Sequence, residues 1–121
     1  MELKGKRIIV TGSARGMGEA TLRSYVQAGA HVIGMDVSDQ TGAALAEEAN
    51  KVGPGKASFF HVDITNIESV EASFSKAVNE LGGLDVLAHP AAIQRSSSAG
   101  EVTVEDWDLM FAVNVRGTMI T

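Results

Sequence analysis

The 121-residue sequence predicts an α/β domain, a doubly wound parallel sheet with helices on both of its faces. Three observations carry this. Short apolar runs alternate along the chain with longer stretches whose apolar residues recur at helical spacing. The short runs are continuous rather than alternating with polar residues, which fits strands covered on both sides. The first run also passes directly into a glycine-rich turn that opens a helix.

The first strand is Arg7–Thr11, with Ile8, Ile9 and Val10 in succession. The turn reads Gly12-Ser13-Ala14-Arg15-Gly16-Met17-Gly18, and residues 19–28 read as a helix that stops at Gly29. Residues 30–36 form the second strand. Ser38 or Asp39 caps the next helix, which carries Ala43, Ala44, Leu45 and Ala49 and ends near Val52-Gly53-Pro54-Gly55. Residues 57–64 are the third strand. Thr65 and Glu68 then have capping-box spacing, and Ile67, Val70, Phe74, Ala77, Val78 and Leu81 share one apolar face before Gly82-Gly83 ends the helix. The fourth strand covers residues 84–89, and a serine-rich loop follows at 94–100. Thr103 and Asp106 repeat the capping-box spacing. The last helix places Trp107, Met110, Phe111, Asn114 and Val115 on one buried face and is still running at Thr121. Parallel strands with right-handed crossovers give the order 3-2-1-4, the first half of a Rossmann-type nucleotide-binding fold. Residues 1–121 thus read as one such domain, cut within its last helix.

Composition excludes several functions. A formal net charge of -5 leaves no basic stripe to neutralise nucleic-acid phosphates. Without cysteine there is neither a disulfide framework nor a thiolate zinc site. His31, His61 and His89 lie in or beside strands and share no metal-ligand spacing, so no metal is expected. The N-terminus lacks the pattern of a signal peptide, and no stretch is long enough to span a bilayer. No membrane partner and a cytoplasmic location are the expectation.

The glycine turn places a helix N-terminus, carrying roughly half a positive charge, where a pyrophosphate can approach free N–H groups. The spacing G-x-x-x-G-x-G differs from the G-x-G-x-x-G fingerprint, and it is no P-loop, because Glu19 and Ala20 follow Gly18. A loop that merely caps the helix is the alternative. Asp36 ends the second strand, where a carboxylate takes ribose hydroxyls or else caps the following helix. A carboxylate there repels a 2′-phosphate. Arg15 would attract one, but Val37 adds no positive charge, so NAD is expected over NADP. Asp63 ends the third strand, either to accept from an adenine amino group or to cap a helix. Asn114, on the apolar helix face, is either a structural amide satisfied by backbone or a group that orders water near an active site.

With these residues in place, the chain resembles the short-chain dehydrogenase/reductase family from about Lys4 to Thr121. Residues 11–18 match the family's TGxxxGxG motif in every fixed position. Asp36 matches the acidic residue of NAD-preferring members, and Asp63 the adenine-contacting Asp. Asn114 followed by Gly117 looks like the active-site Asn and its glycine. The resemblance implies cofactor contacts from Gly12, Ala14, Arg15, Gly16, Met17, Gly18, Asp36, Val37, Asp63, Ile64 and Ala91, with a catalytic role for Asn114. It implies a nicotinamide dinucleotide, hydride transfer to or from a small alcohol or ketone, and a homo-oligomer. Association is also expected from the apolar edge at residues 84–89 and from the helix at Trp107.

Two departures stand out. Where the family has NNAG, this chain reads His89-Pro90-Ala91-Ala92. Pro90 has no N–H, Ala92 resists a positive φ, and His89 is expected to weaken the side-chain ties of the fourth strand. The family's Ser and Tyr-x-x-x-Lys lie beyond the Asn, and the single tyrosine here, Tyr25, has Gly29 four residues on. Residues 1–121 alone are therefore expected to turn over no substrate. A non-catalytic nucleotide-binding module or an inactive fragment is the alternative.

Overall fold

The computed structural model describes residues 2–121. Four parallel strands stand in the order β3-β2-β1-β4. They are β1 (Arg7–Thr11), β2 (His31–Asp36), β3 (Lys56–His61) and β4 (Val86–Ala88). Between them run α1 (Gly16–Gln27), α2 (Asp39–Ala49) and α3 (Ile67–Leu81). After β4, α4 (Val104–Phe111) continues through a π-helical turn at Ala112–Arg116 into α5 (Gly117–Ile120). The register pairs Ile8 with both Val32 and Val86, which fixes β1 at the centre of the sheet.

The continuous apolar runs do what two covered faces require. Successive residues of β1 point to opposite sides. Ile8 and Val10 join Val32, Leu22, Val26, Leu45 and Ala49 in one core, under α1 and α2. Ile9 joins Ile33, Met35, Val62, Val70, Ala77 and Val113 in the other, under α3 and the π-helical turn. No helix among the described residues is long and apolar enough to cross a membrane.

The boundaries differ from the sequence reading where neighbours decide them. The third strand ends at His61 rather than residue 64, because its sole partner β2 stops at Asp36, opposite His61. The fourth strand spans Val86–Ala88 rather than 84–89. Beyond Ala88, Pro90 has no N–H to extend the ladder. The first helix starts at Gly16, inside the glycine turn. Ser38 occupies the N-cap of α2 but makes no capping bond. Thr65 does not cap α3: its N–H and hydroxyl both donate to Asp63, and Asn66 caps instead, accepting the Ser69 N–H. Ile67 is exposed, so the apolar face of α3 begins at Val70. Thr103 caps α4 as expected, accepting the Asp106 N–H. Gly82 ends α3 in the left-handed region, φ 72°.

The last helix turns its expected face the wrong way. Trp107 is 52% exposed and Phe111 48%, and Val115 and Asn114 are exposed too. The two rings stack on each other, 4.8 Å between centroids, rather than on the core. The sheet offers little there: β4 is a three-residue edge strand with exposed Val86 and Leu87. Only past Phe111 does the helix reach the core, through Val113 and Ile120.

Candidate functional site

One cleft of about 500 Å3 opens at the C-terminal ends of the strands. This is where a sheet wound in both directions from its centre leaves a crevice. β1 delivers the glycine turn to it, β2 delivers Asp36, and the chain after β3 delivers Asp63 and Ile64. The chain after β4 supplies the opposite wall, Pro90 to Ile93.

The glycines are needed for how closely the parts approach. Gly12 has φ +62°, and a Cβ there would come within 2.7 Å of the Ala91 Cα. A Cβ at Gly18 would collide with the Gly12 carbonyl oxygen. The turn therefore folds against both α1 and the Ala91 wall only without side chains at these two positions. Arg15 holds the N-cap position of α1 and makes no capping bond. The N–H groups of Gly16, Met17 and Gly18 in the first turn of α1 have no partner earlier in the helix.

Asp36 is held firmly. Its Oδ2 accepts the Ala14 N–H at 3.1 Å and its Oδ1 the Ser38 N–H at 3.0 Å. Each oxygen keeps a further acceptor site, and Asp36 lines the cleft. Asp63 uses one oxygen only: Oδ1 accepts the Thr65 hydroxyl at 2.7 Å and the Thr65 N–H at 2.9 Å. These donors, the hydroxyl first, hold its carboxyl below the usual carboxylate range.

Of the residues the sequence singled out, Gly12, Arg15, Gly16, Met17, Gly18, Asp36, Val37, Asp63, Ile64 and Ala91 all line this cleft. Ala14 does not: it is buried, and its contribution is the N–H that fixes Asp36. Asn114 does not line it either, and it is exposed rather than buried. Its side chain is bonded to the backbone of Ile93, and Ile93 is part of the wall. Sequence reasoning did not assign Ser38, Val62, Thr65, Pro90, Ala92, Ile93 and Val113 to the cleft, and all of them line it. Ser38 had a signal, its place two residues beyond Asp36. Ile93 had the same signal, two residues beyond Ala91, whereas Val113 had none, since only the tertiary fold brings it to the strand ends.

The departure from NNAG leaves the local backbone out of the left-handed region and a side-chain tie on β4 in place. Among the described residues none other than glycine has a positive φ, so Ala92 is not forced into the left-handed region. His89 does not cut the tie between β4 and its neighbour. Its Nδ1 lies 2.7 Å from the Thr11 Oγ1 on β1.

The short chain dehydrogenase family model matches residues 6–121. The 3-oxoacyl-acyl-carrier-protein reductase of Thermotoga maritima is 35% identical over 97% of this chain and 47% of its own length. Momilactone A synthase of Oryza sativa subsp. japonica is 36% identical over 98% and 43%, respectively. Among solved structures, a dehydrogenase/reductase from Sinorhizobium meliloti 1021 superposes with a TM-score of 0.93 at 34% identity, covering 98% of this chain and 47% of that one. A short chain dehydrogenase from Mycobacterium smegmatis gives 0.92 at 29%, covering 98% and 49%. The chain thus spans about half the length of the relatives it matches. Cleft, topology and likeness agree, and the chain belongs to the short-chain dehydrogenase family, whose members use a nicotinamide dinucleotide.

Proposed function

We propose that this chain holds NAD, in preference to NADP, as the cofactor-binding portion of an oxidoreductase acting on a small alcohol or ketone. The observation that carries this reading is the placement of Asp36. Two backbone N–H groups fix it in the cleft wall that also holds the first turn of α1. A carboxylate so fixed accepts the two hydroxyls of an adenosine ribose and repels a phosphate on either. Arg15 is exposed at the cleft, and its guanidinium is the one group on this side that favours a 2′-phosphate.

The other residues take roles from their chemistry. The first-turn N–H groups of Gly16, Met17 and Gly18 receive the pyrophosphate. The unused oxygen of Asp63 accepts from the adenine amino group, with Ile64 and Val37 packed against the base. Ala91 closes over Gly12 at the next ribose. Asn114 acts through Ile93 to position the wall there, with one amide proton left for an ordered water. When bound, the nicotinamide ring supplies the hydride donor or acceptor.

Calorimetric titration of the intact protein tests the reading. NAD is expected to bind at least tenfold more tightly than NADP. Tighter NADP binding would reverse the assignment of Asp36. The exposed edge of β4, with Val86 and Leu87, and the Trp107–Phe111 pair support self-association as well. Sedimentation of the intact protein as a monomer at every concentration would discard that part.

A further inference from the structure

His89 ends β4, and its imidazole reaches across to β1. Nδ1 lies 2.7 Å from the Thr11 Oγ1 and 3.3 Å from the Thr121 Oγ1. Nε2 is enclosed and has no hydrogen-bond partner among the described residues. Thr11 is wholly buried. Counting donors and acceptors assigns the tautomer. With the proton on Nε2, the Thr11 hydroxyl donates to Nδ1, and one group, Nε2–H, goes unmet. With the proton on Nδ1, both the Thr11 proton and the Nε2 lone pair go unmet. Buried polar groups are rarely left without partners, so the first arrangement holds.

Protonating the ring undoes this arrangement. A proton on Nδ1 takes away the acceptor for the Thr11 hydroxyl. It also places a positive charge on a half-buried ring whose Nε2 is enclosed. The groups that face Nδ1, Thr11 from β1 and Thr121 from beyond α5, are neutral. Among the described residues no charged side chain offsets the cost, and burial holds the imidazole below its ordinary range.

The location gives this a consequence for the cleft. Thr11 directly precedes Gly12, and His89 directly precedes Pro90 and Ala91. Gly12, Pro90 and Ala91 line the cleft, and Ala91 packs on Gly12 more closely than a Cβ there would permit. The Thr11–His89 bond thus joins the glycine turn to the opposite wall, one residue behind their contact.

We propose that His89 is a positioning residue that makes dinucleotide binding pH-dependent. The neutral ring ties the Pro90–Ala91 wall to the glycine turn, and the protonated ring releases it. This rests on the reading that the cleft takes a nicotinamide dinucleotide. Because binding requires the neutral ring, affinity falls as pH drops through the ring's titration, by up to about tenfold per pH unit for one proton. A simple attraction of the cation for the pyrophosphate would give the opposite slope.

The test is calorimetric titration of the intact protein with NAD from about pH 4 to about pH 8, a window extended downward because burial lowers this imidazole. It is run beside His89→Asn. An asparagine Oδ1 stands near the place of Nδ1 and accepts from Thr11, but it does not titrate. His61, paired with Asp39 at 2.7 Å, and the exposed His31 are the same in both proteins, so the difference between the two profiles is the readout. The wild-type protein is expected to lose affinity at low pH several-fold more than the variant does. Parallel profiles, or tighter wild-type binding at low pH, overturn the proposal. If the variant fails to fold, the His89 ring is followed by NMR in the wild-type protein: NAD must lower its titration midpoint, and an unchanged or raised midpoint overturns the proposal. Failure to bind NAD at every pH defeats the underlying reading and this inference with it, whereas binding with parallel profiles defeats this inference alone.

Discussion

The side-chain amide of Asn114 holds both polar groups of Ile93: Oδ1 accepts the N–H at 2.9 Å, and Nδ2 donates to the carbonyl at 2.8 Å. Residues 89–98 have no regular secondary structure, so this wall of the cleft depends on such side-chain ties. Asn114→Ala should cost about 1–3 kcal/mol in a denaturant titration, as removal of two hydrogen bonds to one peptide implies. It should also speed amide exchange at Ile93. Asn114→Asp keeps the acceptor but sets a carboxylate against the Ile93 carbonyl, so at neutral pH it should destabilise at least as much. Unchanged exchange at Ile93 in both variants would mean that the wall is held by something else.

Gly12 is a position where a single methyl group should disturb both the backbone and the cleft wall. Its φ of +62° disfavours any side chain, and a Cβ there would meet the Ala91 Cα at 2.7 Å. Gly12→Ala should lower stability by about 1–3 kcal/mol from backbone strain and displaced packing. Dinucleotide affinity should fall by a larger factor than stability explains, since the Ala91 wall must move. Gly100→Ala is the control, because nothing lies within 4 Å of a Cβ at Gly100. Calorimetry with NAD on both variants reads the difference, and equal affinities would refute the role given to the Gly12–Ala91 contact.

Asp36→Ala should narrow the preference for NAD over NADP, by weakening NAD and no longer repelling the 2′-phosphate. The loss for NAD is expected to be about tenfold or more, the range of one or two hydrogen bonds to a charged acceptor. The same change strips the acceptor from the Ala14 and Ser38 N–H groups, so some loss of thermal stability should accompany it. Arg15→Ala in the same background should reduce NADP affinity alone. A variant that keeps the full preference for NAD would move the discrimination away from Asp36.

What the sequence made legible was the part set by local pattern and by strand order. Arg7–Thr11 emerges with both ends right, because a charged residue and a glycine bound its apolar run. Ten of the eleven residues assigned to the cofactor line the cleft because they sit at the ends of parallel strands, where a 3-2-1-4 sheet has its crevice. The misses are tertiary. Thr65 and Asn66 are both competent caps, and the one not claimed by Asp63 won. Helical period marked the stripe containing Trp107 and Phe111, but it says nothing about how much sheet lies opposite. The π-helical turn at Ala112–Arg116, which follows that stripe and brings Val113 to the cleft, has no local signature.

The tie between Arg7 and Asp85 sets the remaining prediction. It joins β4 to β1 at the end of the strands remote from the cleft. Nη2 meets Oδ1 at 2.8 Å, Nε meets Oδ2 at 3.0 Å, and the Arg7 backbone N–H donates to Oδ2 at 2.9 Å. The guanidinium also donates to the Gly82 carbonyl at 2.8 Å, the residue that ends α3. These donors, the guanidinium first, hold the Asp85 carboxyl well below the usual carboxylate range. A carboxylate whose folded value lies below its unfolded one stabilises fully above the unfolded value, about 3.9. That contribution is lost as pH falls through the folded value. Asp85→Asn cannot ionise and keeps one acceptor oxygen. Its melting temperature should therefore lie below the wild-type value at neutral pH, and the gap should shrink on acidification below about pH 4. The pair is well exposed, so added salt should shrink the gap at neutral pH as well. A gap that stays constant from neutral to strongly acidic pH would show that shape, and not the charge of Asp85, secures β4 to β1.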